Sequence, residues 1–131
     1  MAPTDECKSC RVLVVEDESL LAFMIEDALD RLGHDVIGPV SRLDKAIALA
    51  QEARFDAAIL DVTIRGGNIF PVAEILQSKG IPFVLSSGYS DWALPENLKG
   101  RQRLTKPFSV AQLDRALADL CADAAKVDSA G

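Results

Sequence analysis

Residues 12–19 read VLVVEDES. A short apolar run, three of its four residues valine, passes without a break into Glu16, Asp17 and Glu18. Such a run suits a strand covered on both faces of a sheet. Ending it in acids is costly. Two like charges about 4 Å apart repel by about 4 kcal/mol at an effective dielectric of about 20. Either the acids splay apart into water, or something positive is held among them. What stands beside this strand decides between the two.

Working outward, the same texture recurs in AAIL at 57–60 and IPFVL at 81–85, with weaker strand candidates in DVIG at 35–38 and RLT at 103–105. Helical patterns lie between these runs. In 19–32, Leu20, Met24, Ala28 and Leu32 recur every four residues beside Leu21, Ile25 and Leu29, with Glu26, Asp27 and Asp30 opposite, and Gly33 closes the segment. Ser41 is placed to cap a second helix with Leu43, Ala46, Ile47 and Ala50 inward. A third spans 70–79 and stops at Gly80, and Ser109 opens a last one with Val110, Leu113, Leu117 and Leu120 as its stripe. Pro95 interrupts 90–100, so only a short or irregular helix is expected there. Strands alternating with helices imply an α/β fold with a parallel sheet, right-handed crossovers and helices on both faces. Five strands suggest the flavodoxin-like order 2-1-3-4-5. The expected domain is 11–123, between a flexible leader at 1–10 and a flexible tail at 124–131.

The bulk properties exclude several classes. A chain of 131 residues, 49% hydrophobic, suits one domain with a real core. A net charge of −6 argues against non-specific nucleic-acid binding and against an anionic membrane surface. No apolar stretch is long enough to span a bilayer, and MAPTDECKSC lacks the features of a signal peptide, so the cytoplasm is the expected compartment. Of the three cysteines, Cys7 and Cys10 form a CxxC. A zinc site needs four ligands, and Cys121 and His34, the remaining candidates, are scattered along the chain. Two reduced thiols in a polar leader is the favoured reading. His34 follows Gly33 and is expected as a surface turn residue.

In an open parallel sheet, sites form beyond the carboxyl ends of the strands. Glu16 and Asp17 follow the first strand, Asp61 ends the third, Ser86, Ser87 and Gly88 follow the fourth, and Lys106 follows the fifth. In order 2-1-3-4-5 the first and third strands are neighbours, so Glu16, Asp17 and Asp61 converge. Three carboxylates at one sheet edge suit a hard divalent cation, Mg²⁺ first among them. Glu18 is read instead as a solvated first-turn acid favoured by the helix dipole.

VVED ending the first strand, LD the third, SSG the fourth, and KPF at 106–108 together resemble the receiver domain of two-component response regulators, from about Arg11 to Leu120. Each motif alone is weak; all of them in order, each at a strand end, form a strong signal. The resemblance implies that Asp61 is the phosphoacceptor, that Glu16, Asp17, Asp61 and the backbone carbonyl of Thr63 hold Mg²⁺, and that Ser87 and Lys106 contact the phosphoryl oxygens. It implies a phosphoacceptor signalling domain rather than an enzyme, with at most self-phosphorylation from a phosphodonor and autodephosphorylation. Expected partners are a sensor histidine kinase or histidine phosphotransfer protein and a downstream protein target. The Lys106–Pro107 bond is often cis in this family.

Departures are visible. Arg65 stands where the family commonly has proline, so a more mobile 62–68 loop is expected, and Arg103 replaces an aromatic that usually reports phosphorylation. Tyr89, two residues after Ser87, becomes the switch candidate, and the sequence around it resembles a subgroup of single-domain bacterial receivers reading Phe-Ala-Thr-Gly and then Tyr. The 89–108 face is a candidate surface for weak self-association. Two alternatives stand beside this reading. One is a pseudo-receiver that binds protein without taking phosphate. The other is an aspartyl-phosphate phosphatase, which wants Asp-x-Asp after its first strand, whereas Asp61 is followed by Val62 and Thr63 in the third.

Overall fold

The computed structural model describes residues 9–88, 98 and 102–130, with the backbone alone for 126–130. The elements in chain order are β1 (Arg11–Val15), α1 (Ser19–Arg31), β2 (Asp35–Val40), α2 (Leu43–Glu52), β3 (Ala57–Asp61), β4 (Thr63–Ile64), β5 (Gly67–Asn68), α3 (Phe70–Lys79), β6 (Phe83–Ser87), β7 (Arg103–Thr105) and α4 (Val110–Ala130). Five strands form one sheet in the order β2-β1-β3-β6-β7, all paired parallel. With the small β4–β5 ribbon set aside, this is the order 2-1-3-4-5 expected from the sequence.

The pleat divides the apolar residues between two cores. Leu13, Val15, Ala58, Leu60, Phe83 and Leu85 face α2 and α3, where Ala46, Ala50, Val72, Ala73 and Leu76 meet them. Val12, Val14, Ala57, Ile59, Val84 and Leu104 face α1 and α4, meeting Ile25, Ala28, Leu29, Leu113 and Leu117. Because successive side chains on a strand point to opposite faces, an unbroken apolar run serves both layers at once. Each fully buried Leu, Ile or Val contributes about 1.5–3 kcal/mol of burial free energy.

Several expectations need correction. Leu20 is 66% exposed, and the buried stripe of α1 is Ala22, Ile25, Ala28 and Leu29. Steps of four residues overshoot a 3.6-residue turn by about 40° each, so the row Leu20–Met24–Ala28–Leu32 drifts off the core face. Val110 is likewise exposed. Ser41 does not cap α2: Arg42 occupies the N-cap with no side-chain bond, and the Leu43 N–H donates to the Arg65 carbonyl at 2.9 Å instead. Ser109 does cap α4, as a reciprocal box in which the Gln112 N–H donates to Ser109 Oγ at 3.0 Å and the Ser109 N–H donates to Gln112 Oε1 at 2.8 Å. The strand expected at 81–85 is Phe83–Ser87, since Pro82 has no N–H to give a ladder. Helix α4 continues past Asp123, with Ala124 buried, so helical chain occupies the stretch expected as a tail.

The 62–68 stretch, expected as a more mobile loop, carries a short ribbon. Thr63–Ile64 and Gly67–Asn68 pair antiparallel, Arg65 bridges Arg42, and the Ile69 N–H donates to Val62 O at 2.9 Å. Cys10, expected in the leader, is 5% exposed and belongs to the core beneath α1 and α4; Cys7 lies outside the described residues. His34 is half-buried rather than a surface residue, and its Nδ1 accepts the Cys10 N–H at 3.0 Å.

At the edge of the sheet, β2 carries an extra residue relative to β1: Leu13 pairs Ile37 but Val15 pairs Val40. Gly38 sits in this irregularity with φ +103°, and a Cβ there would lie 2.9 Å from the Val14 carbonyl oxygen. Beyond it, the Glu16 N–H donates to Val40 O at 2.9 Å.

Candidate phosphoacceptor and metal site

Three parallel strands deliver the site residues. Asp61 is the last residue of β3, Glu16 follows β1 beside it, and β6 on the other flank ends in Ser86 and Ser87. Ligand atoms of Glu16, Asp17 and Asp61 all lie within 4.8 Å of one another. The opening acids therefore do not splay: Glu16 and Asp61 are 2% and 3% exposed, and only Glu18 turns out to solvent.

Lys106, just past β7, answers part of this charge. Its Nζ donates to Asp61 Oδ2 at 3.1 Å and to Glu16 Oε2 at 3.4 Å. The Lys106 N–H donates to Ser87 O at 2.7 Å, which ties the ammonium-bearing residue to the end of β6, and the Lys106–Pro107 peptide is cis. Two backbone donors hold the carboxylates: the Glu18 N–H on Glu16 Oε2 at 3.1 Å and the Thr63 N–H on Asp61 Oδ1 at 3.3 Å.

One ammonium does not neutralise two buried acids. Burial pushes the Asp61 carboxyl up, the charge of Glu16 adds to this, and the pull of Lys106 does not offset them, so it titrates near pH 7. Burial alone would lower the Lys106 ammonium, but Asp61 and Glu16 outweigh it and the net shift is upward. Glu16 Oε1 is fully buried and takes no hydrogen bond among the described residues, although Lys106 Nζ stands 3.4 Å away. A buried carboxylate oxygen that takes no hydrogen bond, inside a cluster of three all-oxygen donors, fits a hard divalent cation of the Mg²⁺ type.

The structure thus brings together Glu16, Asp17, Asp61 and Lys106, and puts Ser87, buried, on the neighbouring strand end. Tyr89 lies outside the described residues, as does all of 90–100 except Leu98, which is buried. Sequence reasoning missed the Glu18 N–H that fixes Glu16, since a backbone donor leaves no residue-type signal. It also gave no sign that Ser86 pairs in register with Asp61, with an Oγ that is buried and unpartnered among the described residues.

A scan against protein-family models matches none. Solved structures are more informative. SdrG from Sphingomonas melonis Fr1 is 41% identical, with a TM-score of 0.75 over 86% of this chain and 97% of that one. SdrG has also been solved in a BeF3-activated conformation, 42% identical with a TM-score of 0.69 over 84% of this chain and 94% of that one. A response regulator receiver protein from Sinorhizobium medicae WSM419 is 27% identical, with a TM-score of 0.71 over 86% and 94% of the two chains. Among curated proteins, the transcriptional regulatory protein PdtaR of Mycobacterium tuberculosis is 30% identical over 111 residues, 82% of this chain. The chain spans about half the length of the curated relatives it matches, 54% of PdtaR. With its fold, its sheet order and the acids at its carboxyl edge, the chain belongs to the receiver domains of two-component response regulators.

Proposed function

We propose that the chain accepts a phosphoryl group on Asp61 from a phosphohistidine of a sensor kinase or histidine phosphotransfer protein, and passes the change of state to a protein partner in the cytoplasm. One observation carries this reading: Asp61 is buried between Glu16 and Lys106, 3.1 Å from the ammonium. An Asp61 oxygen attacks phosphorus, the P–N bond to the donor imidazole breaks as the P–O bond forms, and the imidazole nitrogen leaves with the electron pair. Lys106 stands where a phosphoryl oxygen on Asp61 would meet a fixed positive charge, and the Ser87 hydroxyl offers a donor from the adjoining strand. Mg²⁺ held by Glu16, Asp17, Asp61 and the Thr63 carbonyl would supply the remaining countercharge and keep Asp61 ionised at neutral pH. The BeF3-activated form of SdrG supports the reading, because beryllofluoride mimics a tetrahedral phosphoryl group. Once Ser87 turns toward the new phosphoryl oxygen, Gly88 and Tyr89 follow it in the chain, so Tyr89 is the residue a partner would read.

Acetyl phosphate tests this. In the presence of Mg²⁺ the chain should gain one phosphoryl mass in a hydroxylamine-sensitive form. Asp61→Asn and EDTA should each abolish the gain. A phosphoryl adduct that persists in Asp61→Asn would place the acceptor elsewhere, and no adduct in the parent chain would favour a phosphorylation-independent binding module.

A further inference from the structure

The two cysteines of the described chain lie near its opposite ends, and the fold brings them together. Cys10 immediately precedes β1, Cys121 lies on α4, and both side chains pack into the core beneath α1 and α4, close enough for Cys10 to influence the ionisation of Cys121. Neither takes part in the site around Asp61, which lies at the other end of β1. Cys10 is held on both sides: its N–H donates to His34 Nδ1 at 3.0 Å, and its carbonyl accepts the Asp35 N–H at 3.0 Å. Its side chain is packed in the core beneath α1 and α4. Cys121 packs against the same core but is only half-buried, so solvent reaches it. A shared metal does not account for the pair. Among the described residues the one group of His, Cys, Asp or Glu close enough to hold an ion is Glu16, Asp17 and Asp61, so His34 does not complete a thiolate site.

We propose that Cys10 and Cys121 form a reversible disulfide when the chain meets hydrogen peroxide, a redox-sensitive staple between the first strand and the last helix. Cys121 is the attacking group. The influence of Cys10 favours its thiolate, burial and the nearby charge of Asp56 oppose it, and the net shift is toward easier ionisation. The Cys121 thiolate sulfur attacks one peroxide oxygen, the O–O bond breaks, and sulfenic acid and hydroxide result. The Cys10 sulfur then displaces hydroxide from the Cys121 sulfur, forming the S–S bond, while its proton leaves with that hydroxide as water. Two thiols lose two electrons and one peroxide becomes two waters. A cross-link from the start of β1 to α4 closes a loop over nearly the whole described chain, the case in which a disulfide restrains the unfolded chain most.

The test treats the full chain with a slight excess of hydrogen peroxide, alkylates the remaining thiols under denaturing conditions, and maps the peptides without reductant. A Cys10–Cys121 peptide pair should appear, vanish with dithiothreitol, be lost in Cys121→Ser and persist in Cys7→Ser. The oxidised chain should melt about 10 °C above the reduced one. A bridge from Cys7 to either of the others, or Cys121 carried to sulfinic acid with Cys10 still open to alkylation, would overturn the proposal. So would a mapped Cys10–Cys121 bridge that leaves the melting temperature unchanged. Since Cys7→Ser alters no described residue, the mapping stays decisive even if Cys121→Ser fails to fold.

Discussion

The two ends of one sheet treat their polar groups in opposite ways. At the amino end, the Arg11 N–H donates to Asp56 Oδ2 at 2.9 Å, the Asp56 N–H donates to Arg11 O at 2.7 Å, and His34 Nδ1 receives the Cys10 N–H. Each donor there meets one acceptor. At the carboxyl end, a single ammonium serves two buried carboxylates and leaves Glu16 Oε1 without a hydrogen bond. The bonds of the amino end are exposed or half-buried, whereas Glu16 and Asp61 at the carboxyl end are buried. They differ also in the supply of partners. The amino end draws its partners from the fold, whereas at the carboxyl end the fold supplies one ammonium for two carboxylates. The proposed cation would relieve that surplus of like charge.

The largest way to test this contrast is to remove the surplus. Asp61 titrates near pH 7, above its unfolded value of about 3.9. Between these values the folded chain holds a proton that the unfolded chain has released, so stability falls as pH rises through this window and stays lowered above it. In EDTA at about pH 8, Asp61→Asn should therefore gain on the order of 2 kcal/mol, less than the roughly 4 kcal/mol of full conversion because Lys106 loses a partner. Urea unfolding measures this, and an unchanged midpoint would mean the carboxyl end is not strained. Adding Mg²⁺ should stabilise the parent chain but much less Asp61→Asn.

Next in size is the cation itself. Asp17→Ala should weaken Mg²⁺ binding at least about tenfold, since even outer-shell partners of a metal cost about that. Glu18→Ala, at an exposed acid, should change it less than about twofold. Titration calorimetry gives both, and equal losses would place the end of β1 one residue off.

The amino end offers a smaller effect of opposite pH sense. Burial lowers the His34 imidazole, partly countered by Asp35. The folded value lies below the unfolded one of about 6.5, so the unfolded state takes the proton first and stability falls as pH drops below about 7. Protonating Nδ1 also removes the acceptor of the Cys10 N–H. His34→Gln should flatten that acid slope, and His34→Ala should cost about 1–2 kcal/mol at pH 7.5 by leaving the N–H unpaired. Thermal melts across pH would show both. The smallest effect belongs to neither end. Arg31 joins α1 to α4 through Asp114, with Asp27 one turn before it, all substantially exposed. Arg31→Ala should cost less than about 1 kcal/mol in dilute buffer, and less still in high salt.

The sheet order was legible because a strand buried on both faces must be apolar throughout, and VLVV and AAIL announce that directly. The acids and Lys106 were legible because strand ends fix where side chains gather. Features made by distant backbone were not. The start of α2 depends on the Arg65 carbonyl meeting the Leu43 N–H across the chain, which no residue type encodes, whereas the β4–β5 ribbon turns at Arg65-Gly66, where Gly66 at φ +101° is a signal the sequence does carry. The polar residues before Cys10 point to a leader, whereas a single small thiol suffices to enter the core once β1 begins at Arg11.

Gly38 lies on β2, an edge strand of the sheet, and is not among the clustered acids. Its backbone, at φ +103°, takes up the extra residue that lets Val40 O receive the Glu16 N–H. Any side chain there meets the Val14 carbonyl and must displace one strand against the other. In a saturation scan scored by cation binding, this position should therefore cluster with Glu16 and Asp17 rather than with its sequence neighbours. Ranked by distance to the ligand it would look irrelevant, and ranked by consequence it belongs to the site.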